Sequence, residues 1–487
     1  MAYQERESDV PDDIVEKTQS LFKSYSNKRE LWAQQAQEDA EFRLGRQWTA
    51  EQERILLERG QAPLVVNRIH PAVEAAKALL TSGKPQFRVS PREDSDNKVA
   101  QVFNGLLEYM WYISDGTQAL RNCIDDYYTM GMGAMMVYID PLKDYGRGEV
   151  VCKDIDPMDV YIDPNSRDRL ANDAENIIVS RMFTKAQAEA MYPQYEDAIK
   201  NAETDLHTDR PTTTRVDNKG IVFPEDTATK TDINFGEGSE YIRGYERYYK
   251  VWVKRYHVKN NIEGREEVFI EDEMQEYMSR PAVKINGQPM TDAAKAEGII
   301  SQLMQQYEQG VAKAEQEGED PPQLPQIEQL TFADFVNEGL IETVSVPIQR
   351  VKQCVIMGDK YLYSRILPVE HYPVVVFMNI HTRTPYPVSD VRMVKDMQEY
   401  INKTRSLIIA HATTSTNTKI LIPSGSVDMQ DFEQRWAQPG VAIEVDMDAG
   451  VPQPVNPTPL PNTLYQNEQV AKQDIDHALG LYELMQG

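Results

Sequence analysis

One segment, SDVRMVKDMQEYINKTRSLIIAHATTS, constrains this 487-residue chain more than any other. Val391, Val394, Ile401 and Ile408 recur at helical spacing and draw a continuous apolar face along a helix expected over 391–412, with Ser389 as its cap. A helix with such a face and polar flanks needs a partner, and an adjacent copy of the chain can supply one. The first fifty residues after Pro11 also read as helix, so the two together are expected to interlock copies. The length suits about two to four domains.

Helical and strand-like blocks alternate around that segment. Helix is expected over 11–60, again after Asn67 with Pro71 in its first turn, and as one long run over 96–130. KPQFRVSPRED, AMMVYID, GEVVCKDIDPMDVYIDP and ENIIVSRMF read as strands, and Thr184 as the cap of a short helix beginning TKAQAEAMYP. Residues 200–240, rich in Thr, Asp, Asn and Gly, read as a linker. The second half of YIRGYERYYKVWVKRYHVK alternates as a strand does. Residues 266–339 change character: GQPMTDAAKAEGIISQLMQQYEQGVAKAEQEGED reads as helical, with Ile300, Leu303, Met304, Tyr307 and Val311 forming a narrow stripe before a proline-broken acidic turn. ETVSVPIQRVKQCVIMGDKYLYSRILP and YPVVVFM return to strand, with Gly358-Asp359 as a hairpin turn. After the helix at 391–412 come a loop, the short segment DMQDFEQRW, a proline-rich stretch and a last helix from about Gln466.

Composition narrows the function by exclusion. Acidic residues outnumber basic ones 77 to 51, a net charge of −26, so the surface repels phosphate and a sequence-reading DNA binder is disfavoured. Hydrophobic residues at 41% are too many for wholesale disorder. Cys123, Cys152 and Cys354 are too scattered for a disulfide framework or a zinc site, which suits a reducing cytoplasm. No apolar run approaches about eighteen residues, and the polar start MAYQERESDV is unlike a signal peptide, so no membrane partner is expected.

The enzyme motifs are missing. There is no phosphate-cradling G-x-x-x-x-G-K-[ST] loop. Gly131 and Gly133 in GMGAMM precede a strand and lack a third glycine, so they read as a tight helix-to-strand turn rather than a dinucleotide site. The seven histidines stand alone, and acid pairs such as Asp125–Asp126 and Asp154–Asp156 are expected by chance as solvated faces. Lys250, Lys254, Arg255 and Lys259 in KVWVKRYHVK read as the outer face of a half-buried strand. No catalytic residue, cofactor or metal is expected.

Four segments, in order along residues 30–420, resemble the portal proteins of short-tailed (podoviral) tailed phages. These are EDAEFRLGRQW with PLVVNRIHPAVE (Gly45, Gln47, Trp48, Asn67, Arg68, Ile69) and KPQFRVSPRED; then GMGAMMVYID with DIDPMDVYIDPNSRDRLANDAENII (Gly131, Gly133, Asp163, Pro164, Asp173, Ala174); and VKDMQEYINKTRSLI (Asp396, Gln398, Asn402, Lys403, Ser406). The resemblance implies an α+β, predominantly helical portal-type fold with wing, stem and clip regions, assembled as a ring of about twelve copies. It divides the chain into a wing-like region 1–249, a clip-like region 250–390, a stem helix 391–412, a channel loop 413–430 and C-terminal wing or crown-proximal helices 431–487. It further implies a passive conduit for double-stranded DNA at the portal vertex of the virion capsid, assembled in the host cytoplasm. The partners it implies are the large terminase subunit, a head–tail adaptor, the major capsid protein and a scaffolding protein.

Two departures from the family stand out: an extra helical insertion around 286–330, and an end at Gly487 where many relatives continue into a crown or barrel, which implies either a compact portal or architecture that lies elsewhere. The loop after the stem helix is where the family borders its DNA channel. There Thr414, Thr416, Asn417 and Thr418 would meet phosphates by weak hydrogen bonds, with Lys419 as the only cation. An ordinary connector leading to a buried strand at Ile420, Leu421 and Ile422 is the other reading. Glu315, Glu317, Glu319 and Asp320 on an exposed turn would face a basic partner surface. The other functions weighed are a head–tail adaptor or tail-tube component, and a metal-dependent nuclease.

Overall fold

A computed structural model of the chain describes residues 10–83, 85–91, 96–141, 143–204, 213–216, 222–225, 241–317, 323–416, 419–436, 438–455 and 461–480. It falls into two compact units. The first comprises Met1–Arg247, Val355–Leu362 and Pro373–Gly487, the second Tyr248–Cys354 and Tyr363–Tyr372.

Helix α1 (Pro11–Leu44) starts with a proline in its first turn and two aspartates that suit the positive end of the helix dipole. Gly45 stops it at a φ of 111°, its N–H bonded to the Phe42 carbonyl. The helix expected over 11–60 is therefore two. A capping box between Thr49 and Gln52 starts α2 (Ala50–Glu58) afresh. An extended run then leads into α3 (Ile69–Leu80).

The expected strand in KPQFRVSPRED is not one: Val89 exchanges both backbone hydrogen bonds with the Asn104 side chain (2.6 and 3.2 Å) instead of with another strand. The run over 96–130 also splits, into α4 (Asn97–Ile113) and α5 (Gly116–Met130), because Asp115 turns left-handed at a φ of 50°.

β1 (Met132–Asp140), β2 (Glu149–Ile155), β3 (Val160–Ile162) and β4 (Asn176–Thr184) follow, then α6 (Lys185–Met191), capped by Thr184 as expected, and α7 (Glu196–Lys200). Most of the expected linker lies outside the described residues; within it β5 (Thr213–Val216) and β6 (Val222–Glu225) form a short hairpin. β7 (Tyr241–Asn260) runs from the first unit into the second.

The second unit continues with β8 (Arg265–Ile270), α8 (Glu271–Ser279), β9 (Pro281–Ile285), β10 (Gln288–Met290), α9 (Ala293–Glu317), β11 (Ile327–Thr331), α10 (Phe332–Asn337) and most of β12 (Ile341–Met357). Its core gathers Val258, Met274, Tyr277, Phe332, Phe335 and Ile341. The helix expected here is α9, and short strands flank it. β9 lies between β10 and β11 in an antiparallel sheet, closed by Asn286-Gly287 with both residues at positive φ (49° and 81°), the geometry a two-residue hairpin demands.

β13 (Lys360–Leu367) follows the Gly358-Asp359 turn, and the chain returns to the first unit with β14 (Val374–Met378), α11 (Asp390–Thr416), β15 (Ile420–Leu421), α12 (Met429–Arg435), β16 (Gln453–Pro454) and α13 (Asn462–Ala478). β14 pairs with β1 (Gly133 opposite Phe377), so residues 373–390 belong with the first unit rather than with a 250–390 region. β1 is the centre of the sheet β14-β1-β2, and a second sheet runs β13-β12-β7-β4-β3 with β8 on β7. Helix and sheet are thus mixed throughout.

The apolar face of α11 does not await another copy. Val391, Val394 and Ile401 are sealed against Phe42 of α1, Ile69 and Val73 of α3, and Ala471 and Ile475 of α13. The partner the periodicity demanded is the chain itself.

Candidate functional site

The helix singled out in the sequence is held by a polar ladder as well as by that core. Ser389 caps it, accepting the Arg392 N–H (2.9 Å) and donating to Asp39 of α1 (2.7 Å). Gln398, Asn402 and Ser406 lie four residues apart on one face and are fully buried. Opposite them runs the extended segment before α3.

The Gln398 amide accepts the Arg68 N–H (2.9 Å) and donates to the Val66 carbonyl (2.8 Å). The Asn402 carbonyl oxygen accepts the Val66 N–H (2.9 Å), and the Ser406 hydroxyl accepts the Leu64 N–H (3.4 Å). Four helical residues rise about 6 Å and two extended residues about 6.6 Å, so side chains at i, i+4 and i+8 meet backbone groups at every second residue. The helix acts as the missing neighbour strand.

Asn402 also donates to Gln47 (2.7 Å), Trp48 to the Leu64 carbonyl (3.0 Å), and Asn67 to the Arg43 carbonyl (2.7 Å) while accepting the His70 N–H that opens α3. Gln47, Trp48, Asn67, Gln398, Asn402 and Ser406, quoted from two distant segments, thus converge on one junction. Asp396 and Lys403 do not join it; both face solvent. Helix α13 is tied to α11 by buried Glu468, which takes Arg405 and Lys472 (2.5 and 2.6 Å).

The loop expected at 413–430 starts later than its sequence suggests. α11 runs on to Thr416, because the Thr413 and Thr414 hydroxyls donate back to the Ile409 and Ala410 carbonyls (3.0 and 2.8 Å), satisfying themselves within the helix. Thr414 is therefore an exposed helical residue and Thr416 the helix end; Asn417 and Thr418 lie outside the described residues. Lys419 is exposed, and its carbonyl accepts the Val455 N–H (2.8 Å). Ile420 and Leu421 pair with Pro454 and Gln453, but Leu421 is exposed, so this strand is not buried, and Ile422 lies beyond it. Glu315 and Glu317 occupy the last turn of α9, while Glu319 and Asp320 fall outside the described residues.

The structure also assembles what sequence spacing left apart. A cleft of about 640 Å³ in the first unit is lined by Arg43, Glu74, Lys77, Asp125, Asp126 and Asp154, among others. Buried Arg43 bridges Asp125 and Glu74 (both 2.6 Å), and Lys77 bridges the same two acids (2.7 and 2.6 Å). Burial works to raise the Asp125 pKa, but hydrogen bonds from Arg43 and Lys77 outweigh it and hold the carboxyl below its usual range. Asp126 feels only the charge of Arg43, the last of its influences, pulling its pKa down. Burial first, then the charges of Asp156, Asp125 and Asp154, push it up to about 7. Among the described residues no group of three or more His, Cys, Asp and Glu is arranged to hold a metal ion.

A pH prediction follows. With its folded pKa above the unfolded value near 3.8, protonated Asp126 favours the fold; that contribution is complete below about pH 4 and is lost as pH rises through 7. Asp126→Asn is therefore expected to raise the melting temperature at pH 8 and to change it little at pH 4. Equal melting shifts at both pH values would contradict the assignment.

Residues 19–487 match the family described as phage P22-like portal protein. A portal protein of Helicobacter pylori bacteriophage KHP30 is 24% identical over 147 residues, which are 30% of this chain and 24% of that protein. The chain thus aligns with about a quarter of that relative's length. No helix among the described residues is long and apolar enough to cross a membrane. With the family match running from α1 through α13, the chain belongs to the phage P22-like portal proteins.

Proposed function

We propose that this chain is the subunit of the portal ring at the unique vertex of a phage capsid, a passive conduit for double-stranded DNA during packaging and ejection. The family match over residues 19–487 carries this reading. About twelve copies at −26 each bring roughly −300 charges to one ring, which favours sliding of DNA over adhesion. In this reading the first unit supplies the wing, α11 the stem, and the second unit the clip. The acidic end of α9 and the turn after it, with Glu315, Glu317, Glu319 and Asp320, dock a basic surface of the large terminase subunit or the head–tail adaptor. Major capsid and scaffolding proteins surround the ring, which is built in the host cytoplasm and remains in the virion. The motor belongs to the terminase, in keeping with the lack of a phosphate-binding loop in the sequence.

The channel contact is reduced to the end of α11 and the residues after it. Thr416, Asn417 and Thr418 offer exchangeable hydrogen bonds, Thr414 only by giving up its bond to the Ala410 carbonyl, and Lys419 one cation per subunit, enough for transient contact with phosphate and too sparse for tight binding. Lys419→Glu is expected to leave rings intact while particles package or retain several-fold less DNA, read from the DNA content of purified particles. Wild-type DNA content in the variant would remove this segment from the account.

A further inference from the structure

Helix α4 is far more apolar than its burial warrants. At 100° per residue its positions form three faces. Ala100, Asn104, Leu107 and Trp111 form the inner one; Ala100 is buried, the other three are half-buried, and Trp111 packs on Phe87 at 5.4 Å. A narrow polar face holds Lys98, Gln101 and Glu108. The third face is a stripe of Val99, Val102, Phe103, Leu106 and Tyr109, every one of them at least half exposed (Val102 at 62%).

This stripe reaches the several hundred Å² of contiguous apolar surface at which monomers usually stop. A helix apolar on two of three faces gains from covering both. The one polar anchor on the stripe, the Tyr109 hydroxyl donating to Glu149 (2.7 Å), leaves the ring itself exposed.

We infer that the outward stripe of α4 is a subunit contact, covered in the assembly by a different face of a second copy of this chain. The inference rests on the ring reading above and deepens it by naming a surface. Two observations favour a second copy as the occupant. Each copy carries −26, so copies repel wherever their general surfaces meet, and contact is favoured where charge is lowest; the five stripe residues carry none. A ring also closes through heterologous contacts, in which one face of a subunit meets a different face of the next, so an apolar stripe on each copy need not face its own counterpart.

Val102 and Leu106 point outward, so Val102→Glu/Leu106→Glu is expected to keep the wild-type far-UV circular dichroism while the full chain sediments as monomer or small fragments instead of rings. A double variant of wild-type ring mass would overturn the α4 contact and leave the ring reading standing. A wild-type chain that is itself monomeric would overturn both.

If the variant fails to fold, a benzophenone side chain in place of Phe103 in the otherwise wild-type ring decides. Irradiation is expected to give dimers and higher ladders of this chain, with the cross-linked peptide mapped by mass spectrometry. No cross-link between copies, or cross-linking only to another protein in assembled capsids, would overturn the proposal.

Discussion

Asn402→Leu is expected to destabilise the chain by about 2–4 kcal/mol, because it strands buried polar groups without replacing their partners. The Val66 N–H loses its acceptor, Gln47 loses the donor at 2.7 Å, and Gln398 loses a bond of 3.0 Å, all at a residue with no exposed surface. The leucine branches at the same atom but its methyls are bulkier than the amide, so overpacking adds to the lost hydrogen bonds. Lys403→Ala, one residue along and exposed, is expected to change stability by no more than about 0.5 kcal/mol. Chemical denaturation of the two variants checks the pair. Similar midpoints for both would mean that the ladder between α11 and the segment 64–68 does not hold the helix in place.

Gly133→Ala is expected to cost about 3 kcal/mol, for a different reason. A Cβ at Gly133 would overlap the Cys123 carbonyl oxygen and lie 2.6 Å from its sulfur, so α5 would have to move off β1. Backbone cannot swing aside as a long side chain can. Both flanking residues, Met132 and Ala134, are buried, which leaves the strand no room to retreat. Gly105→Ala is the contrast: nothing lies within 4 Å of its added methyl, and the helix α4 gains about 0.5–1 kcal/mol. Thermal unfolding of Gly133→Ala and Gly105→Ala should therefore shift in opposite directions. A wild-type melting temperature for Gly133→Ala would show that the two elements are not in backbone contact.

These two positions also show what was legible in the sequence. The helix-to-strand turn was readable at Gly131, since a strand follows directly and no third glycine marks a phosphate loop, but not the close approach of Gly133, inside β1, to Cys123. Long amphipathic runs such as α1 and α11 were readable because their period is repeated many times. Their ends were not. Gly45 and Asp115 stop helices inside runs that stay apolar on both sides, and Thr413 and Thr414 continue one by bonding to their own carbonyls. The small sheet of β9, β10 and β11 hid in strands of three to five residues, although Asn286-Gly287 announced its hairpin.

The site was partly visible as residues and not as geometry. Gln398, Asn402 and Ser406 were picked out by resemblance alone, because their partners at 64–68 lie more than 300 positions away and backbone N–H groups carry no sequence signal. The acid-lined cleft was invisible for the same reason: Asp126 on α5, Asp154 on β2 and Glu74 on α3 meet only after folding. Helical periodicity likewise showed that α11 needs a cover without saying whose. The chain covers that face itself.

Negative-stain images of the purified full chain test the central claim most directly. The account predicts top views of a closed ring with a central hole, made of about twelve copies. A uniform population of monomers at micromolar concentration across several salt conditions, with no rings in any field, would contradict it.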